Sequence, residues 1–262
     1  VIVREQDDVV IMMKQHDHGL LAGDLARYFK EEHVPEEGRR EEVLHAIGQH
    51  DRGWIDLDET PFWNDAENAP YSFMDFPVVP KLNFYKKGLD EIEQDTLYGA
   101  LLCSLHFERL IEVSSEQGPE LSLYQEREAE RRARIHRELE ETRPLGEDEL
   151  YYDARLLQFC DDLSLYMGLN EPGSPKSEEH PWWVDGFSGS EDFSFTSGRV
   201  ISTEWKDAST LVLDPFPFSQ DVEVAYKLRK VPKSEIKLKG IALAYSETPE
   251  EEYRITVAGQ PE

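Results

Sequence analysis

Ile47-Gly-Gln-His-Asp-Arg-Gly-Trp54 sets a histidine and an aspartate side by side where a helical pattern runs out. Ahead of the pair, Val43, Ile47 and His50 fall on one helical face, which predicts a helix over about Arg39–His50. On a continuous helix neighbouring side chains diverge by about 100°. His50 and Asp51 can therefore address one ion only where the helix ends or where the ion lies between their directions, and Gly53 favours an end there.

Upstream, Val1-Ile-Val-Arg and Val9-Val-Ile-Met-Met flank Asp7-Asp8 and predict two short strands around a turn, leading into Gln15-His-Asp-His18. From Asp17, a candidate N-cap, the period becomes 3.6, with His18, Ala22, Leu25 and Phe29 on one face. Downstream, residues 53–87 carry eight aromatics among four prolines and predict a long irregular connection, a form usually reserved for lids and binding loops. A helix over about Leu89–Val113 aligns Leu102, His106 and Leu110. A charged helix over about Glu120–Glu141 reads as a solvated outer helix, and a last one covers about Asp148–Gly168. After Asn170-Glu-Pro-Gly-Ser-Pro175 the composition shifts. Val200–Trp205, Thr210–Leu213, Val222–Tyr226, Ile241–Tyr245 and Tyr253–Val257 predict short strands that could pair with the N-terminal hairpin.

The expected fold is thus mainly α. It comprises a β hairpin over residues 1–14, a helical metal-binding bundle over 15–170, and a small antiparallel β-rich element over 171–262 packed on it. The 55 acidic against 28 basic residues give a net charge of −27, which excludes a nucleic-acid backbone or an anionic membrane as partner. Cys103 and Cys160 sit in apolar helical settings and imply neither a disulfide framework nor a thiolate zinc site. With no apolar run of membrane-spanning length and no signal-like start, a cytoplasmic protein is expected. Oligomeric state is not legible.

His18, His50 and His106 each place an imidazole on an otherwise apolar helical face. One such histidine is more often a satisfied core residue than a ligand, but three on separate helices point to a shared ion. On the last helix, Leu156, Leu157, Cys160, Leu163 and Met167 define the inward face, with Asp161 at its edge and Asp162 pointing away. Asp161 is therefore the preferred carboxylate and Asp153 the reserve, since burial there is costly unless a cation is met. His16 is a further candidate ligand. His45 and His136 read as surface residues, and His33 as the end of a helix. Nitrogen and oxygen ligands without thiolate suit iron, manganese or zinc, as one ion or two.

The order His18, His50-Asp51, Asp161 within Phe159-Cys-Asp-Asp-Leu-Ser164 resembles the HD superfamily of metal-dependent phosphohydrolases over about residues 15–168, and His106 resembles the added histidine of its two-metal members. The segments Gln15–His18, His50–Trp54, Tyr71-Ser-Phe73 and Leu102–His106 make the whole chain similar to a prokaryotic family catalogued only as domain of unknown function 3891. The resemblance implies an HD-type helical bundle and a hydrolase of a small phosphoester or nucleotide. In it His18, His50, Asp51, His106, Asp161 and His16 bind metal, Asp51 takes part in the chemistry, and Arg52 or Lys81 holds an anionic substrate beneath a wall that includes Trp54. It also admits a di-iron oxygenase on the same ligands. A non-catalytic ligand-binding or regulatory module is the alternative outside enzymes. Arg52-Gly53-Trp54 departs from the apolar residue, glycine and basic residue that often follow the dipeptide in such phosphohydrolases.

Overall fold

The structure is a computed structural model that describes residues 1–30, 39–114 and 116–260. His33 lies outside these residues. The chain opens with strands β1 (Ile2–Gln6) and β2 (Val9–Met13), then runs through helices α1 (Gln15–Ala26), α2 (Arg40–Gln49) and the short α3 (Ile55–Asp58). A two-stranded ribbon, β3 (Trp63–Asn64) and β4 (Ala69–Pro70), precedes four long helices: α4 (Val78–Asp95), α5 (Leu97–Val113), α6 (Pro119–Thr142) and α7 (Glu147–Leu169). Strands β5 (Ser202–Asp207), β6 (Thr210–Asp214) and β7 (Val222–Pro232) follow, then helices α8 (Lys233–Lys239) and α9 (Ile241–Glu247), and finally β8 (Glu251–Gly259).

The expectation of a mainly α bundle carrying a hairpin and a separate antiparallel element is overturned. The two ends of the chain build one six-stranded mixed sheet in the order β1-β2-β7-β8-β6-β5. Strand β2 pairs antiparallel with β7, Val9 opposite Pro232, while β6 runs parallel to β8. The physical reason lies in Val9-Val-Ile-Met-Met13. An apolar run without polar alternation marks a strand covered on both faces, which a hairpin on the edge of a bundle could not bury. The pleat sends Ile11 and Met13 into the main helical core, and Val10 and Met12 into a second core with Ile236, Ile241, Ala244 and Tyr245 of α8 and α9. Strand β7 shows the complementary pattern over Val222–Leu228, where buried and exposed residues alternate.

Three local expectations also change. Residues 53–87 are not structureless: α4 begins at Val78 directly after Pro77, and Pro80 sits in its first turn, where no helical hydrogen bond is required of its nitrogen. The helix predicted from Leu89 to Val113 is two helices broken at Thr96, whose hydroxyl accepts from Gly99 N and caps α5. Ile241–Tyr245 is helical, burying Ile241, Ala244 and Tyr245 at the spacing of a helix.

Helices α1, α2, α5 and α7 pack on one another and carry the site. Where α1 crosses α2, Gly23 and Gly48 touch so closely that a Cβ on Gly23 would lie 2.8 Å from the Gly48 Cα. The charged α6 is more than a solvated face. Its Arg131 bonds Glu93 and Asp90 on α4, Arg132 bonds Glu108 on α5, and the buried Glu128 accepts from the Ser104 hydroxyl. No helix among the described residues is long and apolar enough to cross a membrane.

Candidate metal centre

Helix α2 ends at Gln49, and the chain turns through Asp51 into a single 3-10 turn over Arg52–Trp54. That ending lets His50 and Asp51 face the same point. His18 reaches it from α1, His106 from α5 and Asp161 from α7, and all five side chains are buried. Two overlapping groups result, His18 with His50 and Asp51, and His50 with His106 and Asp161, in each of which the donor atoms lie within 4.8 Å of one another.

The hydrogen bonds decide which ring nitrogens carry protons. His50 Nδ1 lies 2.7 Å from the Ile47 carbonyl oxygen and must donate to it. The Ser164 hydroxyl donates to the Asp161 carbonyl, so its oxygen accepts from His18 Nδ1 at 2.8 Å. Both rings therefore point Nε2 inward, His18 at Asp51 Oδ2 (2.7 Å) and His50 at Asp161 Oδ1 (3.2 Å). An unprotonated imidazole nitrogen facing a carboxylate oxygen is repulsive unless a proton or a cation lies between them. His50 Nε2 is buried and makes no hydrogen bond among the described residues. Gln15 Nε2 donates to Asp51 Oδ2 at 2.9 Å and steadies that carboxylate.

Electrostatics follow the geometry. Burial works against a charge on His50, but Asp51 and then Asp161 outweigh it and push its pKa up to about 9. Burial likewise opposes ionisation of Asp51 and Asp161, but His50 together with His18 and the Gln15 amide at Asp51, and together with His106 and His18 at Asp161, outweighs it and holds each carboxyl below its ordinary range. His106 falls to about 4, because burial dominates and His50 repels a second proton while Asp161 only partly compensates. The centre thus favours two carboxylates, a charged His50 and a neutral His106.

The centre forms the floor of a cleft of about 360 Å³ whose walls include Phe73, Tyr85, Arg109, Gln158, Trp182 and Trp183. A larger cleft, about 860 Å³, opens between the β3–β4 ribbon and the α8–α9 pair but contains no member of either group.

Other residues singled out in the sequence stand elsewhere. His16 is half-buried with its backbone N–H bound to Asp58, outside both groups. Arg52, Gly53 and Trp54 together dock the pair onto α4. Arg52 Nε bonds Glu91 at 2.6 Å, Trp54 packs edge-on against Phe76 and Tyr85, and a Cβ on Gly53 would lie 2.3 Å from the Phe84 carbonyl oxygen. Lys81 lies on α4 and does not line the cleft. Asp162 does line it, covered by Trp183, whose Nε1 donates to it at 3.0 Å, so it faces a partner and not open solvent. His45 is half-buried 3.4 Å from Asp95, and His136 is exposed. Sequence reasoning passed over Gln15, Ser164 and Arg109. A signal for Arg109 existed, because it follows His106 by three residues and shares its helical face.

Asp153, the reserve carboxylate, is buried away from the centre and accepts from Tyr98 Oη at 2.6 Å. Burial lifts its pKa to about 6, above the ordinary 3.8, despite that hydrogen bond. Between those values the folded state holds more protons than the unfolded, so this group lowers stability as pH rises from about 4 to 6, by at most about 1.4 kcal/mol per pH unit. Asp153→Asn should flatten that segment of a urea-denaturation pH profile. An unchanged slope would show that Asp153 does not titrate there.

The fold and site define an α/β protein with a buried histidine–aspartate centre at the floor of an open cleft. The chain belongs to the family described as "Protein of unknown function (DUF3891)", whose model matches residues 1–233. No curated protein and no solved structure matches the chain.

Proposed function

We propose that this protein is a metal-dependent hydrolase of small phosphoesters, of HD type in the order of its ligands. The observation that carries the reading is the pair of inward-facing Nε2 atoms, each set against a buried carboxylate oxygen while its Nδ1 is committed to a second partner. Metal-binding histidines are held in this way, the outer N–H fixing ring and tautomer. The donors are two carboxylates and three imidazoles without thiolate, a set that fits manganese, iron or zinc.

His50 limits the count. Its Nδ1 is spent on Ile47, so Nε2 can serve only one ion, and each of the two groups needs it to reach three ligands. We therefore favour one ion per chain, seated on His50 Nε2, over a di-iron centre. Such an ion supplies Lewis acidity, polarising a phosphoryl oxygen and bringing the ionisation of water toward neutrality. The chain's own part is to hold that charge in a dry floor, with Gln15 orienting Asp51, Ser164 orienting His18, and the aromatic walls limiting water.

Elemental analysis of gently purified protein should find about one manganese, iron or zinc per chain. The loaded protein should hydrolyse members of a phosphoester panel without dioxygen. Two irons with dioxygen consumption would replace this reading with an oxygenase, and no affinity for any of these metals would remove it.

A further inference from the structure

Arg109 stands on α5 in the wall of the cleft above the centre. With 55 acidic residues available, it makes no ion pair and no hydrogen bond among the described residues. It is the only lysine or arginine among the described residues lining the cleft above the centre. Burial lowers its pKa and Arg155 adds to that, while Asp162 attracts it without closing to an ion pair. A half-buried guanidinium left unpaired beside a deep opening keeps its fork of donors free for an anion. The same rim exposes apolar surface that a solitary anion would not use. Trp182 is 53% exposed and stands edge-on to Phe73 with ring centroids 6.2 Å apart, and Leu110 and Val113 lie on the same helix as Arg109.

We propose that Arg109 holds the anionic group of the substrate and Trp182 its flat apolar part, so that the cleft selects phosphate monoesters carrying a ring over bare or short-chain phosphates. This assignment rests on the phosphoesterase reading for the identity of the anion as a phosphate. The guanidinium, one helical turn beyond His106, faces the charged end, while the indole offers a ring face for stacking.

Calorimetric titration of phenyl phosphate, methyl phosphate and inorganic phosphate into the full chain, with and without manganese, tests the proposal. Wild type should bind phenyl phosphate most tightly. Arg109→Met and Arg109→Gln should each weaken it by roughly 10- to 100-fold, with Arg109→Lys intermediate and manganese stoichiometry unchanged in all three. Trp182→Ala should weaken phenyl phosphate while leaving methyl phosphate within about twofold. The proposal is overturned if the Arg109 variants bind phenyl phosphate as wild type does, or if wild type binds the three probes alike or not at all. Binding without hydrolysis would instead count against the phosphoesterase reading and leave the cleft assignment standing. Because the titration is repeated on metal-free protein, loss of the metal reading would not prevent Arg109 from being judged.

Discussion

His50→Ala is expected to purify without the metal that wild type retains and to lose phosphoester hydrolysis by well over about 100-fold, since partners one shell further out already cost about 10- to 100-fold. The expectation follows from the position of the ring. His50 is the member shared by both groups, and its removal leaves His18 with Asp51 and His106 with Asp161, each pair too few to hold an ion firmly. It also strips the buried carboxylates of the group that keeps them ionised. Removing one partner of a buried charge pair costs about 3–5 kcal/mol, so the metal-free variant should also melt earlier than metal-free wild type. Elemental analysis, a phosphoester assay and far-UV circular dichroism separate these effects. A folded His50→Ala protein with undiminished metal and activity would refute the centre.

Gly53→Ala should be nearly as damaging although no ligand is touched. The added Cβ would lie 2.3 Å from the Phe84 carbonyl oxygen, and one on Gly88 would lie 2.5 Å from the Gly53 amide nitrogen, so two backbones meet where any side chain must push them apart. Overpacking at such a contact costs about 3 kcal/mol or more, which for a chain of this size lowers Tm by roughly 6–12 °C. The displaced segment begins two residues after Asp51, and metal affinity should fall with stability. Gly88→Ala opens the same contact from the other side. The double variant should therefore be less destabilised than the sum of the singles, which thermal denaturation of all three can check. Independent, additive losses would mean that the two glycines do not share a contact.

The side chains brought together here were legible because each is a local anomaly. His18, His50 and His106 are imidazoles on apolar helical faces, and Asp161 lies at the edge of one. Arg52-Gly53-Trp54 was legible only as a departure. Its meaning depends on α4, and α4 was hidden because Pro77 and Pro80 read as loop residues when they stand before and within a first turn. Ile241–Tyr245 misled for a different reason: over five residues, Ile, Leu and Tyr at alternate positions imitate a strand, while the helical spacing of Ile241, Ala244 and Tyr245 is equally present. The sheet was least legible, because no local pattern states which distant strand will lie beside β2.

That neighbour has a consequence for how the protein comes into being. During synthesis β7, whose Pro232 lies opposite Val9, emerges some two hundred residues after β2. Throughout that interval a strand apolar on both faces waits with one edge open, so translation rate and chaperone capture, more than helix formation, should govern how much of the chain reaches its native state.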